Sequence, residues 1–283
     1  MTLLDDIEPW VVGHYTGYVS LRCPFHEDET PSLLAYESGR FKCMACGEKG
    51  QLPYLIARLQ GVDPDTVKKT EPKRSIFLPP MDDREAINEL SFDAHRVLLD
   101  YKPSQTWLKE RGVASLIDPC CLGIYEGWYT IPIWNYPEEQ IGGLMLRAGP
   151  SIKKEPRFIH PDGMKSMPYY PLPECKIDKG AKLFIVYGLF DALTLAALGY
   201  HVVTPTMGKD SFQAAWLDGI RKPIIILPDQ GEEETAEKLA AQLDWRGRVW
   251  RLVYPEGIKD PNDFLWKGQK KLLVRQLNYA LTH

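Results

Sequence analysis

What this chain lacks sets its first limits. It has no excess of basic charge: 34 Lys and Arg stand against 38 Asp and Glu, a net charge of -4. The chain as a whole is therefore not built to coat nucleic acid, and any such contact must come from local patches. No apolar run approaches the roughly 18 to 20 residues of a membrane span. The opening MTLLDDIEPWVVG is acidic where a secretory leader would be basic, so a cytoplasmic protein with no membrane partner is the expectation. No phosphate loop of the G-x-x-x-x-G-K-[ST] type occurs; PTMGKDS has Gly208 and Lys209 but neither the leading glycine nor a hydroxyl directly after the lysine. Nor does a chain of 283 residues, 44% hydrophobic and 25% charged, need disulfide staples; it is long enough for two domains or one large domain with an appendage.

Three of the six cysteines fall in one cluster with a histidine. Cys23, His26, Cys43 and Cys46 are spaced C-x2-H-x16-C-x2-C. A two-residue gap lets both members of each pair turn onto one ion. Three thiolates with one imidazole complete tetrahedral Zn2+ and leave no position for water, so a structural site is expected. Gly47 and Gly50 follow the second knuckle, where a positive φ would fold amides over the sulfurs. SLLAYES and GRFKCMA read as short strands about a glycine turn, which makes the segment a zinc ribbon. Arg22, Lys42 and Lys49 with Tyr15, Tyr18, Phe25 and Phe41 give it a face of cations and rings suited to single-stranded nucleic acid, or a small aromatic core. Cys120, Cys121 and Cys175 lie outside the cluster and read as idle buried thiols.

Further on, LPYLIARLQG is an amphipathic helix closing the ribbon, and TVKKTEPKRSIFLPPMDDRE, with prolines, charges and no period, is a linker. TIPIW and IGGLMLRA alternate about a turn, an antiparallel pair. Arg147 at the end of that pair and Lys153, Lys154, Arg157 and Lys165 beyond it gather with few acids, a segment able to hold phosphates. LFIVYG, YHVVTPT, PIIILPD and RVWRLVYP are four apolar runs separated by helical stretches, the pattern of a parallel sheet buried on both faces. FLWKGQKKLLVRQLNYALTH reads as one basic amphipathic helix packed on that sheet.

CPFHEDETPSL followed by FKCMACGEKG resembles the zinc-binding domain of bacterial and phage DnaG-type DNA primases. TWLKERGVASLIDPCCLGIY resembles a helix-turn of the primase core, with Arg111, Gly112 and Gly123 on its motif positions, and the Ile-Pro-Ile strand, the strand ending at Arg147 and the PRFI segment with Arg157 follow in order. The α/β order is similar to the Toprim fold of those enzymes. The resemblance implies a multidomain α+β and α/β chain: zinc ribbon 1–68, linker 69–86, primase core 87–175 with antiparallel strands, Toprim domain 176–268 and C-terminal helix 269–283. It implies short RNA primers made from nucleoside triphosphates on a single-stranded DNA template, with a separate replicative helicase as a further partner, in a bacterial or phage-infected cell.

Toprim sites hold Mg2+ or Mn2+ with carboxylates at strand ends, because a hard ion takes oxygen ligands. Here VYGLFDAL keeps Gly188 and Asp191 but has Tyr187 where the family has glutamate. LPDQGEEETA keeps Asp229 and places Gly231 at the second acid, with Glu232 and Glu233 next. KDPNDFL keeps Asp260, presents Asn262, and has Asp263 beside it. Two readings stay open. Either Asp191, Asp229, Asp260, Asp263 and a shifted Glu232 still form a catalytic site, with Asp229 and Asp260 anchoring magnesium, or the domain binds single-stranded DNA or a helicase without catalysis. A Toprim nuclease is a third, weaker reading. For the ribbon, which is too small to be stable on apolar burial alone, chelation of zinc is expected to unfold residues 1–68, read as loss of their strand signal in circular dichroism.

Overall fold

Leu21, Leu33, Phe41 and Cys43 alternate toward one side of their strands, and that period builds the first of two compact units in this computed structural model, Met1–Pro79 and Pro80–His283. The structure describes residues 4–37, 39–61, 76, 78–136, 138–150, 152, 157–177 and 182–282. In the first unit five strands, β1 (Val11–Tyr15), β2 (Tyr18–Leu21), β3 (Leu33–Tyr36), β4 (Arg40–Cys43) and β5 (Lys49–Gln51), form an antiparallel sheet in sequential order. Helix α1 (Leu52–Leu59) follows, with Leu52 and Leu55 fully buried in the same core as Ile7, Val19 and Ala35. The ribbon is thus wider than the two strands read from the sequence.

Burial selects one of the two readings of the ribbon's rings, and one glycine differs from expectation. Tyr18 and Phe41 are buried, so they belong to the core and not to an exposed face; Phe41 stacks on Phe25 and Tyr54, and Tyr18 on Tyr15. Burial wins because a ring on the inner side of so small a sheet supplies much of its core. Gly47 has the positive φ expected of it, +79°, but Gly50 does not. It is an extended residue of β5, and a Cβ there would meet the Phe41 ring at 3.0 Å.

The second unit opens on α2 (Arg84–Asp100), capped by the Asp83 carboxylate on the Ala86 amide, and α3 (Lys102–Glu110). These precede an antiparallel sheet of β6 (Gly123–Tyr125), β7 (Trp128–Asn135), β8 (Gln140–Ala148) and β9 (Phe158–Ile159), in that order. The β7–β8 pair is the TIPIW and IGGLMLRA hairpin, with a register shift between Ile133 and Trp134.

Helix α4 (Pro173–Ile177) leads to a second sheet. Its strands are β10 (Pro168–Tyr169), β11 (Leu183–Ile185), β12 (Val202–Pro205), β13 (Ile224–Ile226) and β14 (Gly247–Val249), ordered β10-β12-β11-β13-β14. All pairs but β10–β12 are parallel. Leu183, Phe184, Ile185, Ile224, Ile225 and Ile226 are fully buried, as continuous apolar runs in a two-faced sheet require. The chain runs from β11 through α5 (Leu189–Ala197) to β12 on one side and later to β13 on the other. The carboxyl ends of β11 and β13 therefore flank a switch point, where loops diverge and leave a crevice.

The C-terminal segment is two helices, not one. After α6 (Glu233–Gln242), α7 (Pro261–Trp266) ends at a break around Gly268, and α8 (Lys270–Thr282) buries Leu273, Leu277 and Ala280. Among the described residues no helix is long and apolar enough to cross a membrane. Phe184, on the central strand and edge-on to Tyr200 at 5.7 Å, is the test of this core: Phe184→Ala is expected to lower the stability of the second unit by about 3–5 kcal/mol in urea unfolding.

Candidate functional sites: a thiolate–imidazole tetrad and a carboxylate crevice

Hairpin β3–β4 and the turns flanking it bring Cys23, His26, Cys43 and Cys46 together, with their donor atoms all within 4.8 Å of one another. Among the described residues this is the one group of three or more His, Cys, Asp or Glu with such spacing. Cys23 Sγ and Cys46 Sγ are 3.8 Å apart, the edge of a tetrahedron with zinc–sulfur bonds of about 2.3 Å. His26 Nδ1 lies 3.9 Å from Cys43 Sγ. Burial alone would raise the Cys43 thiol, but hydrogen bonds with Ser32 and from the Cys46 and Ala45 amides hold it below its ordinary value. The tetrad therefore fits zinc, held by Cys23, Cys43, Cys46 and the Nδ1 of His26.

Sequence reasoning missed the residue beneath this site, Asp28. Its Oδ2 accepts from the Cys23 amide at 2.7 Å, the Ser32 amide at 3.2 Å and the Ser32 hydroxyl at 2.7 Å, while Oδ1 faces His26 Nε2 at 3.6 Å. The signal was an acid two residues after the histidine with serine four residues later, inside a motif read only for its ligands.

The second site lies at the carboxyl ends of β11 and β13. Asp191, in the first turn of α5, is 6% exposed and accepts the Asn262 amide at 2.8 Å. Gly188 is required beneath it: a Cβ there would stand 2.2 Å from Asp191 Oδ2. Asp229 follows β13, and Gly231, at φ +89°, closes a tight turn in which the Glu232 amide donates to the Asp229 carbonyl at 3.0 Å. That φ is favourable to glycine, so the residue standing at the second acidic position is a turn residue. Its effect is to carry Glu232 back beside Asp229. Asp260 caps α7 through the Asp263 amide at 2.8 Å, and Asp263 accepts from the Lys259 amide.

Crowding shows in the electrostatics. Burial first, then Glu232 and Asp260, push Asp229 up to about 7, with Lys209 pulling the other way. Burial and the charges of Asp260 and Asp229 hold Asp191 well above the carboxylate range, and burial raises Asp260 against the Asp263 amide and Arg111. Asp229 Oδ1 and Glu232 Oε2 are buried with no hydrogen-bond partner among the described residues. Lys209, unremarked as a site residue in the sequence, pairs with Glu232 Oε1 at 2.8 Å. Tyr187 is 7% exposed, its hydroxyl unpartnered; burial and then Glu232, Asp229 and Asp210 raise its pKa, so it supplies neither a base nor a charged ligand.

Against the acids stand arginines. Arg111, just past α3, lies over the Trp266 ring at 4.2 Å and the Trp107 ring at 5.2 Å and donates to Asn262 Oδ1 at 2.7 Å. The Asn262 side-chain amide donates in turn to the Arg111 carbonyl and to Thr194. Burial lowers the Arg111 pKa while Asp260, Asp263 and Asp191 oppose the shift. Arg147 is lowered to about 10 by burial and then by the nearby Arg111 and Arg157. Three predicted cations, Arg111, Arg147 and Arg157, are thus electrostatic neighbours of one another, and the first is also a neighbour of the carboxylates. Lys165 is exposed and no contact places it with them; Lys153 and Lys154 lie outside the described residues. Cys120, Cys121 and Cys175 are buried, and burial raises each thiol, as idle core cysteines require.

Asp229 gives a pH test. Its folded carboxyl stays protonated above the ordinary range near 4, so between about pH 4 and about 7 the unfolded chain releases a proton that the folded one keeps, and stability falls as pH rises through that window. Asp229→Asn is therefore expected to raise the melting temperature by several degrees at about pH 8 and to change it little at about pH 4; equal shifts at both would reject the assignment.

Residues 14–78 match the CHC2 zinc finger in its DnaG zinc-ribbon form. No curated protein matches the chain. Among solved structures, the chain is similar to the zinc-binding and RNA polymerase domains of the Aquifex aeolicus primase, with 21% identity and a TM-score of 0.56, over 99% of this chain and 83% of that one. It is similar to the DnaG catalytic core with 14% identity and a TM-score of 0.54, over 68% of this chain and 77% of that one. A DnaG primase catalytic domain bound to single-stranded DNA gives 14% identity and a TM-score of 0.51, over 68% and 79%.

Proposed function

The chain has the DnaG primase fold with a CHC2 zinc finger, and from that premise we propose that it makes short RNA primers on single-stranded DNA, joining ribonucleoside triphosphates through a Toprim-type centre. The observation that carries this reading is the juxtaposition of two opposed sets of charge. Asp191, Asp229, Asp260 and Glu232 surround the strand ends, while Arg111 stands against the acids with Arg147 and Arg157 as its own electrostatic neighbours. Carboxylates at such a place suit magnesium or manganese, which when bound would neutralise charge on a triphosphate and its attacking 3′ oxygen. Guanidiniums beside them suit the triphosphate or the template backbone.

Two of the neutral positions have work of their own under this reading. Gly231 turns the chain so that Glu232 stands in for a missing acid, and Asn262 links Asp191 to Arg111. Asp229 and Glu232 each keep an unpartnered oxygen for a ligand. Asp260 has one oxygen committed to the α7 cap, so it contributes its other oxygen.

A second reading, a degenerate relative that holds single-stranded DNA or docks on a replicative helicase, is favoured by two observations: Lys209 already pairs with Glu232, and among the described residues the tetrad and not the carboxylates forms a close ligand group. The deciding experiment incubates the protein with single-stranded DNA, labelled ribonucleotides and magnesium or manganese. Short products are expected, and Asp229→Ala should reduce them to background while DNA binding stays unchanged. Binding without products under either metal would favour the second reading, and cleavage of the DNA would point to the nuclease.

A further inference from the structure

We propose that Asp28 is the positioning residue of the zinc centre: its carboxylate fixes the imidazole of His26 so that Nδ1 is the ligating nitrogen, and ties the knuckle of Cys23 to Ser32. The inference rests on the zinc assignment and goes beyond the tetrad itself. A neutral imidazole has one proton, and the nitrogen that carries it cannot ligate; the partner of the protonated nitrogen therefore chooses the donor. Here Nδ1 is the nitrogen 3.9 Å from Cys43 Sγ, and Nε2 is the one 3.6 Å from Asp28 Oδ1. A carboxylate opposite Nε2 favours the proton there.

The same carboxylate is in turn immobilised. Its side chain is 6% exposed, and Oδ2 takes three donors, the amides of Cys23 and Ser32 and the Ser32 hydroxyl. Three donors stabilise its charge beside an anionic set of thiolates, where an unsatisfied carboxylate would be costly. Ser32 Oγ is also 3.3 Å from Cys43 Sγ. One side chain thereby contacts two of the four ligating residues, Cys23 and His26, and the hydroxyl it holds lies against a third, Cys43, on the other knuckle. Cys46 is the ligand it does not reach; that thiol lies instead 3.8 Å from Cys23 Sγ.

The test uses the full chain loaded with zinc. Nitrogen-15 shifts of His26 in the wild type are expected to show a protonated Nε2 and a ligating Nδ1; the reverse overturns the proposal at once. In competition with a chelator, Asp28→Ala is expected to weaken zinc binding about 10- to 100-fold, and Asp28→Asn, which keeps an oxygen acceptor without the charge, by less. A purely structural role is separated by the His26→Cys background: there the penalty of Asp28→Ala should shrink to the part carried by Cys23 and Ser32, and an undiminished penalty would remove the imidazole from the argument. Should Asp28→Ala fail to fold, Asp28→Asn decides: weaker zinc binding in the same competition is expected, and binding equal to the wild type overturns the proposal. A wild type that binds no zinc refutes the site; tight zinc binding that is indifferent to Asp28 refutes only this inference.

Discussion

Repulsion among carboxylates drawn to the end of one parallel sheet is the constraint around which the second unit is arranged. Burial raises Asp191, Asp229 and Asp260, and neighbouring acids add to it, Asp260 and Asp229 at Asp191 and Glu232 and Asp260 at Asp229. The structure answers locally: an amide from Asn262 for Asp191, a helix cap for Asp260, and ammonium and guanidinium groups from Lys209 and Arg111. Even the absence of a side chain at Gly188 belongs to this arrangement, because the Asp191 carboxylate occupies the place a Cβ would need. Such a crevice holds unspent negative potential, and a cation is its natural complement.

The fold was legible where a repeating pattern dictated it. Apolar runs marked β11, β12 and β13, the alternation of TIPIW marked β7, and the metal-ligand spacing marked the tetrad, because each pattern is local and its physics is periodic or stoichiometric; RVWRLVYP overlaps β14 only at Arg248 and Val249. What escaped depends on contacts distant in sequence. Asn262 and Arg111 are 151 residues apart, and no spacing rule connects them. Asp28 was in plain view, yet its role is visible only once the imidazole has an orientation. The C-terminal helix was read as continuous because its amphipathic period survives the interruption at Gly268.

The three neutral residues at expected acidic positions are not equivalent. Gly231 and Asn262 each support an acid that remains: one returns Glu232 to the crevice, the other secures Asp191. Tyr187 does neither, and nothing in its surroundings explains its hydroxyl. Its ring is buried at the strand end beside Glu232 and Asp229 and adds no charge to them. Loss of acids by count is therefore a poor measure of loss of function here, since position and support decide what the survivors can do.

The Arg111 guanidinium, stacked between Trp107 and Trp266 and bonded to Asn262, has an optical consequence. Indole emission responds to a cation at its face and to the polarity around it. Trp107 rides on the helix beside the antiparallel half, whereas Trp266 ends the helix that Asp260 caps. A displacement of this one arginine would therefore alter the surroundings of both rings at once, one on each side of the crevice.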